Sequence, residues 1–453
     1  MSWLSMGWWG GSAGAAIINP GLPAGPCFCR PEGCCGLRRR AGGHALKCVD
    51  TRRHFEGKIG ARTGVFRPVI HQGACMKVTC GREALNQAFQ VASSVVPVRS
   101  TVPILQNVKV TAQGQGAKGT LEVVGNDLEI GVRFTVGGEA AGAAVPVDVA
   151  EEGVLVLPAS RVSGLLRESQ DEQVTLESEG SLATLRLKDG RYKIVGTDPA
   201  DYPDLPPFDP RQAVKVETAD FSSMIRRTLF ATSEESTRYA LTGVLLDLRE
   251  QDLRLVASDG KRMAFVKKKT AGGGKPVKVI VPPKALQLLD RVLGEADAVV
   301  QLQVEENQVK MQTSRAMIFS RLIEGNFPEY EDVIPKGADR KISVPAAAFH
   351  SAMRRAALMT SDKGRAVKLA FGKNRLRIET RAAEIGESEI DLPIEHAGEP
   401  LDIVFNPDYF LDFLRVVEEE TLTFELKDRN TAAVLRVAGG DYTYLVMPLK
   451  IDL

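Results

Sequence analysis

Past residue 75 the sequence holds no tryptophan, one cysteine (Cys80) and two histidines, His350 and His396. These residue types most often supply nucleophiles, proton transfer near neutral pH and soft metal ligands, so their scarcity closes most routes to catalysis. Long apolar runs are missing too: none reaches the roughly 18 residues of a membrane-spanning helix. Glycine and proline, 42 and 24 of 453 residues, fall short of a collagen-like or wholly disordered chain. What is present is ordinary globular material, 44% hydrophobic and 25% charged. The chain is long enough for about two to four domains, each with its own core.

The near balance of 58 basic and 57 acidic residues conceals two kinds of polypeptide. Residues 1–75 contain all three tryptophans, six of the seven cysteines and 14 of the 42 glycines, with ten Lys/Arg against three Asp/Glu. The remaining 378 residues carry 48 basic and 54 acidic side chains. Runs such as WWGGSAGAA and CFCRPEGCCGLRRRAGG show neither helical nor strand periodicity. The spacing of Cys27, Cys29, Cys34 and Cys35 is not that of a zinc site. The expectation for 1–75 is a low-complexity leader, disordered or absent from the mature protein, with ordered chain from Met76. Cys80, alone beyond it, fits a reducing cytoplasm.

The body repeats itself. LPASRVSGLLRES from Leu157, VPPKALQLLDRVLGE from Val281 and FNPDYFLDFLRVVEEE from Phe405 each join an apolar strand end, a proline and a helix-spaced apolar run. Proline suits the first helical turn, where its missing N–H has no partner to lose. Pro158 and Pro282 stand 124 residues apart, as do Arg167, Arg291 and Arg415 in succession. A second helix recurs in FSSMIRRTLFATS from Phe221 and FHSAMRRAALMTS from Phe349, with LNQAFQVAS from Leu85 as a fainter copy. The pairs Arg226–Arg227 and Arg354–Arg355 fall off its apolar stripe. Between the helices lie alternating strands: LRLKDGRYKIV reads as a hairpin with a positive-φ turn at Asp189-Gly190. The fold class is therefore α+β, three tandem repeats each with two helices and antiparallel sheets. The boundaries are 76–209, 210–337 and 338–453.

No catalytic constellation emerges. His350 and His396 lack a second ligand nearby in sequence. Gly272-Gly273-Gly274-Lys275 runs into Pro276 without the Ser/Thr of a phosphate loop. Ser258-Asp259-Gly260 reads as a turn. Tandem repeats joined head to tail either close into a ring or run on as an array. Basic residues recurring at equivalent helical positions in an acidic body would draw a polyanion inward, through phosphate contacts that carry no base information. Simple pairing of those arginines with neighbouring carboxylates is the equally weighted alternative.

From Met76 to Ile451 the chain resembles the bacterial DNA sliding clamp family, the beta subunit of DNA polymerase III. The matching stretches are RSTVPILQNV from Arg99, GNDLEIGV from Gly125, DPADYPDLPPF from Asp198, STRYALTGVLL from Ser236, LRLVASDGKRMAF from Leu253, EGNFPEYEDVIPK from Glu324 and YLVMPLK from Tyr444. The resemblance implies a ring-shaped homodimer, helices inside and sheets outside. It implies a non-catalytic processivity factor that encircles duplex DNA without reading its sequence, in the cytoplasm at the nucleoid. The implied partners are the polymerase alpha subunit, the clamp loader and other replication and repair proteins, with no cofactor, metal or membrane. A sequence-specific nucleic-acid regulator and, further off, a metal-dependent phosphoesterase are the alternatives.

Three residue sets follow from the resemblance. DNA contacts map to Arg99, Arg238, Lys284, Lys363 and Arg365; Gly364 replaces an aromatic residue sometimes found in that loop. The partner-peptide pocket maps to Leu241, Ser258, Gly260, Lys261, Arg262, Met263, Pro328, Val333, Leu445, Val446, Met447, Pro448 and Leu449. There Lys261 departs from a frequent histidine and Met263 from a leucine. The dimer seam joins Tyr192 and Ile194 of one copy to Leu358 and Met359 of the other, with Arg161 and Arg191 facing Glu384, Glu387 and Glu389.

Overall fold

Each repeat is held by two helices laid on the inner faces of its strands. The computed structural model describes residues 75–138, 146–270, 275–294, 297–361 and 364–451, with only the backbone at 236–238. The leader expected over 1–75 thus lies outside the described residues apart from Cys75. The helices are α1 (Arg82–Ser93), α2 (Ala159–Glu168), α3 (Thr218–Leu229), α4 (Pro283–Val292), the one-turn α5 (Tyr330–Val333), α6 (Ala346–Ala357) and α7 (Pro407–Leu414). The expected prolines stand where α2, α4 and α7 begin: Pro158 caps α2, Pro282 caps α4 with Pro283 as its first residue, and Pro407 opens α7. α1, α3 and α6 are the second recurring helix. Their apolar stripes, such as Phe221, Met224 and Ile225 of α3 or Phe349, Ala352 and Met353 of α6, are buried.

The threefold repeat is exact enough to be read from strand registers. Val108 lies opposite Leu157, Val244 opposite Val281, and Val367 opposite Phe405. The strands form four antiparallel sheets of five, eight, eight and four strands. Both eight-stranded sheets cross a repeat boundary. Strand Ile130–Gly137 pairs with Ala316–Arg321, and strand Arg262–Lys269 pairs with Tyr442–Val446. One continuous apolar core underlies all three repeats, with two smaller clusters on the far side of the eight-stranded sheets.

Two sequence expectations need correction. The turn between Leu182–Arg186 and Arg191–Val195 closes with Leu187 N–H donating to Gly190 C=O at 2.8 Å. Neither Asp189 nor Gly190 is among the residues with positive φ. Gly190 has a steric reason instead: a Cβ there would sit 3.0 Å from the Tyr192 ring folded over it. Secondly, Arg227 does not point off the apolar face into solvent. It is 8% exposed, its guanidinium 2.9 Å from Glu419 and stacked over the Tyr442 ring. Half of that arginine pair is a strut between repeats.

Candidate functional site

On the outer side of the second eight-stranded sheet, Met263 and Leu445 sit opposite each other in register. They are buried in a cluster with Leu245, Val256, Ile280, Val434 and Tyr330, flanked by Ala240 and Ile334. Leu241 is buried next along the chain but outside that cluster. Ser258, Gly260 and Lys261 form the tight turn before strand Arg262–Lys269: Ser258 Oγ donates to Arg262 C=O at 2.8 Å, Gly260 takes φ +84°, and Lys261 N–H donates to Asp259. The C-terminal tail is strung along this turn. Met447 N–H donates to Lys261 C=O and Leu449 N–H to Val404 C=O, both at 2.8 Å. Val446 is wholly buried, Pro448 and Leu449 half-buried. Met447 and Val333 stay 43% and 50% exposed, each within three residues along the chain of a buried member of this floor, Leu445 and Tyr330. Pro328 opens instead onto a neighbouring depression beside Ile323 and Phe327.

Arg262 departs from its expected place in this pocket. Its guanidinium turns into the boundary between repeats, 3.0 Å from Asp259 and 2.6 Å from Asp412, and donates to Phe230 C=O. It ties the strands that carry the floor to the neighbouring repeat, with three of its five N–H donors engaged in these bonds.

A polar network missed by the sequence reading holds α5. Tyr330 donates its hydroxyl to the buried Asp247 carboxylate at 2.7 Å. Arg249 and Arg254 each reach that hydroxyl and also grip Glu331, at 3.0 and 2.6 Å. Burial pushes the Tyr330 phenol up to about 12, so it stays a donor. A four-residue helix has no stability of its own; this network and the Tyr330 ring against Phe265 place Val333. The signal in sequence, two strand arginines and an acidic residue about 80 positions on, is too distant to read as one unit.

The helix face carries the cationic candidates. Lys284, at the start of α4, sits 2.9 Å from Asp127, and Arg365 sits 2.5 Å from Asp408 at the start of α7. Arg99 is exposed in the loop after α1. Arg238 lies in a 3-10 turn (Ser236–Thr242) where only the backbone is described, and Lys363 is outside the described residues. Tyr239, exposed beside Arg238, is an aromatic neighbour that the sequence reading passed over. His350, on α6, titrates below its usual range because of burial and the nearby Arg354 and Arg415. Burial pushes the Cys80 thiol up to about 12, which leaves it unreactive. Among the described residues no group of three His, Cys, Asp or Glu is placed to hold a metal ion, and no helix is long and apolar enough to cross a membrane.

Among the edge strands, which have one neighbour only, are Arg191–Val195 in the five-stranded sheet and Gly386–Pro393 in the four-stranded sheet. The expected seam residues gather on and beside these edges. Arg191 and Tyr192 are exposed on the first, Glu387 and Glu389 on the second, with Glu384 just before it and Arg161 on α2. Leu358, 78% exposed, follows α6, and Met359 packs over Gly386. Ile194 is only 6% exposed in the single chain, because its side chain faces the core opposite Ala183. Apolar surface is also left open at Val195 and Ile385, at 74% and 47%, neither of which the sequence reading named.

Comparison with known proteins gives a consistent result. Family models described as the N-terminal, central and C-terminal domains of the DNA polymerase III beta subunit match residues 76–206, 215–329 and 331–450. The beta sliding clamp of Pseudomonas putida is 30% identical over 385 residues, covering 83% of this chain and all of that protein. The Escherichia coli clamp is 28% identical over 378 residues with the same coverage. The solved Bacillus subtilis sliding clamp superposes with TM-score 0.77 at 27% identity. A Pseudomonas aeruginosa clamp bound to griselimycin gives 0.77 at 29%. Both structures cover 83% of this chain and are themselves covered completely.

Proposed function

This chain belongs to the DNA polymerase III beta subunit family, the bacterial sliding clamps, and from that premise we propose that two copies close into a ring around duplex DNA. The family is a non-catalytic processivity factor for the polymerase, and that is the function of this chain. Neither a sequence-specific regulator nor a phosphoesterase has support.

The observation that carries the ring is a strand junction built twice within the chain, with its two halves left open at the ends. In the first junction Val132 faces Ile318 and Ile130 faces Ser320; in the second Ala264 faces Tyr444 and Arg262 faces Val446. Hairpin registers carry these positions through the repeat. Gly125–Val132, Ala257–Ala264 and Thr380–Ser388 correspond, as do Met311–Ile318, Leu435–Tyr444 and Leu185–Tyr192. A third junction, between copies, then sets Ser388 opposite Tyr192 and Gly386 opposite Ile194 of the partner copy. On the other face Glu389 meets Arg191 and Glu387 meets Lys193, and exposed Val195 comes beside Ile385. Apolar contact with charged flanks suits a stable interface. Domains 76–209, 210–337 and 338–453 are the units of this ring, with their helices lining the hole.

Arg99, Arg238, Lys284, Lys363 and Arg365 are the proposed phosphate contacts. The cleft of Met263, Leu445, Met447, Pro448 and Val333 takes apolar peptide tails of the polymerase alpha subunit, the clamp loader and other replication and repair proteins, at the nucleoid. The test of the ring is the mass in solution. The wild-type chain runs as a dimer at micromolar concentration, and Leu358→Asp, which places an unpaired charge in the seam, runs as a monomer. A dimer that survives this substitution refutes the seam.

A further inference from the structure

Four cations of the helix face are not bare. Lys284 is paired with Asp127, Arg365 with Asp408, Arg226 with Asp290 at 3.4 Å, and Arg415 with Asp412 at 2.9 Å. In each pair the carboxylate is the more buried partner and the cation the more exposed. Three of the four carboxylates are also anchored elsewhere. Asp127 accepts the Glu129 and Ile130 amides, Asp290 accepts the Ser222 hydroxyl, and Asp412 accepts a second bond from Arg262. Asp127, Asp290 and Asp412 are therefore held in place, while in every pair the longer cationic side chain is the more exposed partner. Arg99, Arg291 and Arg354 have no such carboxylate among the described residues.

We propose that Asp127, Asp290 and Asp408 are built-in counter-anions that stand where a DNA phosphate would, so that phosphate contacts by Lys284, Arg226 and Arg365 must be won from an internal competitor. The affinity of a cation for DNA comes largely from releasing counterions condensed on the phosphates. A cation already neutralised by a fixed carboxylate brings less of that gain, whatever the base sequence. Exposed ion pairs are individually weak, so the competitor attenuates the contact without abolishing it. The face then holds duplex loosely at every step along it. This rests on the reading that the helix face meets DNA.

The experiment uses the full-length dimer and a linear duplex titrated across salt concentrations. Combined Asp127→Asn, Asp290→Asn and Asp408→Asn keep size and most hydrogen bonds but remove the three charges. Affinity at about 0.1 M salt rises roughly tenfold, and the log–log salt slope steepens by up to about 2.7 per chain. The matching triple Asp→Glu variant, which keeps the charges, stays near wild type in both. A general loosening of the fold would not steepen the salt slope, so that readout separates attenuation from structural damage. Unchanged affinity and slope in the Asn variant overturn the proposal. Lys284→Ala with Arg365→Ala reports on its premise: these weaken binding if the face meets DNA. If they weaken binding while the Asn variant is silent, attenuation alone is refuted; if neither matters, the face reading falls with it.

Discussion

The two junctions inside the chain use the same strand pairing and finish it differently. At the first, Gly131 stands opposite Phe319, and the absent side chain leaves a hole. The following linker fills it: a Cβ on Gly131 would overlap Leu205, which is buried with Tyr202, Leu105 and Phe319. At the second, Met263 occupies the corresponding place against Leu445. The linker there is propped by ion pairs, leaving Val333 and Met447 in reach of solvent. The boundary is also more ionic, with Arg227–Glu419, Arg262–Asp412 and Lys268–Asp441 across it. One junction is sealed with the chain's own residues; the other is braced by charge and keeps an apolar rim open. Of the two internal junctions, one alone thus presents such a cleft among the described residues.

The comparison breaks most sharply at its ionic brace. Arg262→Met strips Asp259 of its cation and leaves Asp412 with Arg415 alone, and global stability falls by about 3 kcal/mol in chemical denaturation, near the low end for breaking a buried pair. A loss under about 1 kcal/mol, the scale of a surface pair, would mean the second junction does not depend on charge. Deleting Met447–Leu453 removes one wall of the open cleft. A fluorescent apolar peptide from the polymerase tail loses at least ~2 kcal/mol, roughly thirtyfold, while the dimer mass stays put. Equal affinity would put the docking cleft elsewhere. The smallest effect is Glu331→Gln, which slackens the grip of Arg249 and Arg254 on α5. Peptide affinity drops by about threefold to tenfold, Glu331→Asp recovers part of it, and hydrogen exchange quickens at residues 329–334. Unaltered exchange there would show that Tyr330 alone seats the helix.

The parts of this architecture legible in sequence were the local ones. Proline at the helix start and apolar spacing over three to four residues are written within a dozen positions, so α2, α4 and α7 and their 124-residue period are readable. Sheet continuity across repeats was not, because Phe134 and Ala316 pair over a separation with no local trace. Arg227 fails for the same reason. Its place on the helix is off the apolar stripe, but Glu419, 192 residues away, takes it inside. At the cleft, Met263, Leu445 and Met447 came through the family resemblance. The Asp247–Tyr330–Glu331 support did not, because it has meaning only after strands from two segments have paired. Ile194 and Val195 show how fine the margin is: one step along a strand exchanges the core face for the open one.

The charges on the two open edges also decide what the chain must not do. An unpaired strand is a template for any other strand, and two identical edges pair as easily as two different ones unless something forbids it. Here Arg191 and Lys193 lie on one edge, Glu387 and Glu389 on the other. Two first edges brought together would set cation against cation, and two second edges acid against acid. In the proposed ring only unlike ends tolerate each other, which would sort chains into head-to-tail order before any apolar contact forms. Whether head-to-tail order yields a closed circle or an endless filament then depends on the turn at each junction, about 60° if six domains are to meet. The two internal junctions, whose angles are fixed by folding, would set that turn in advance for the proposed third.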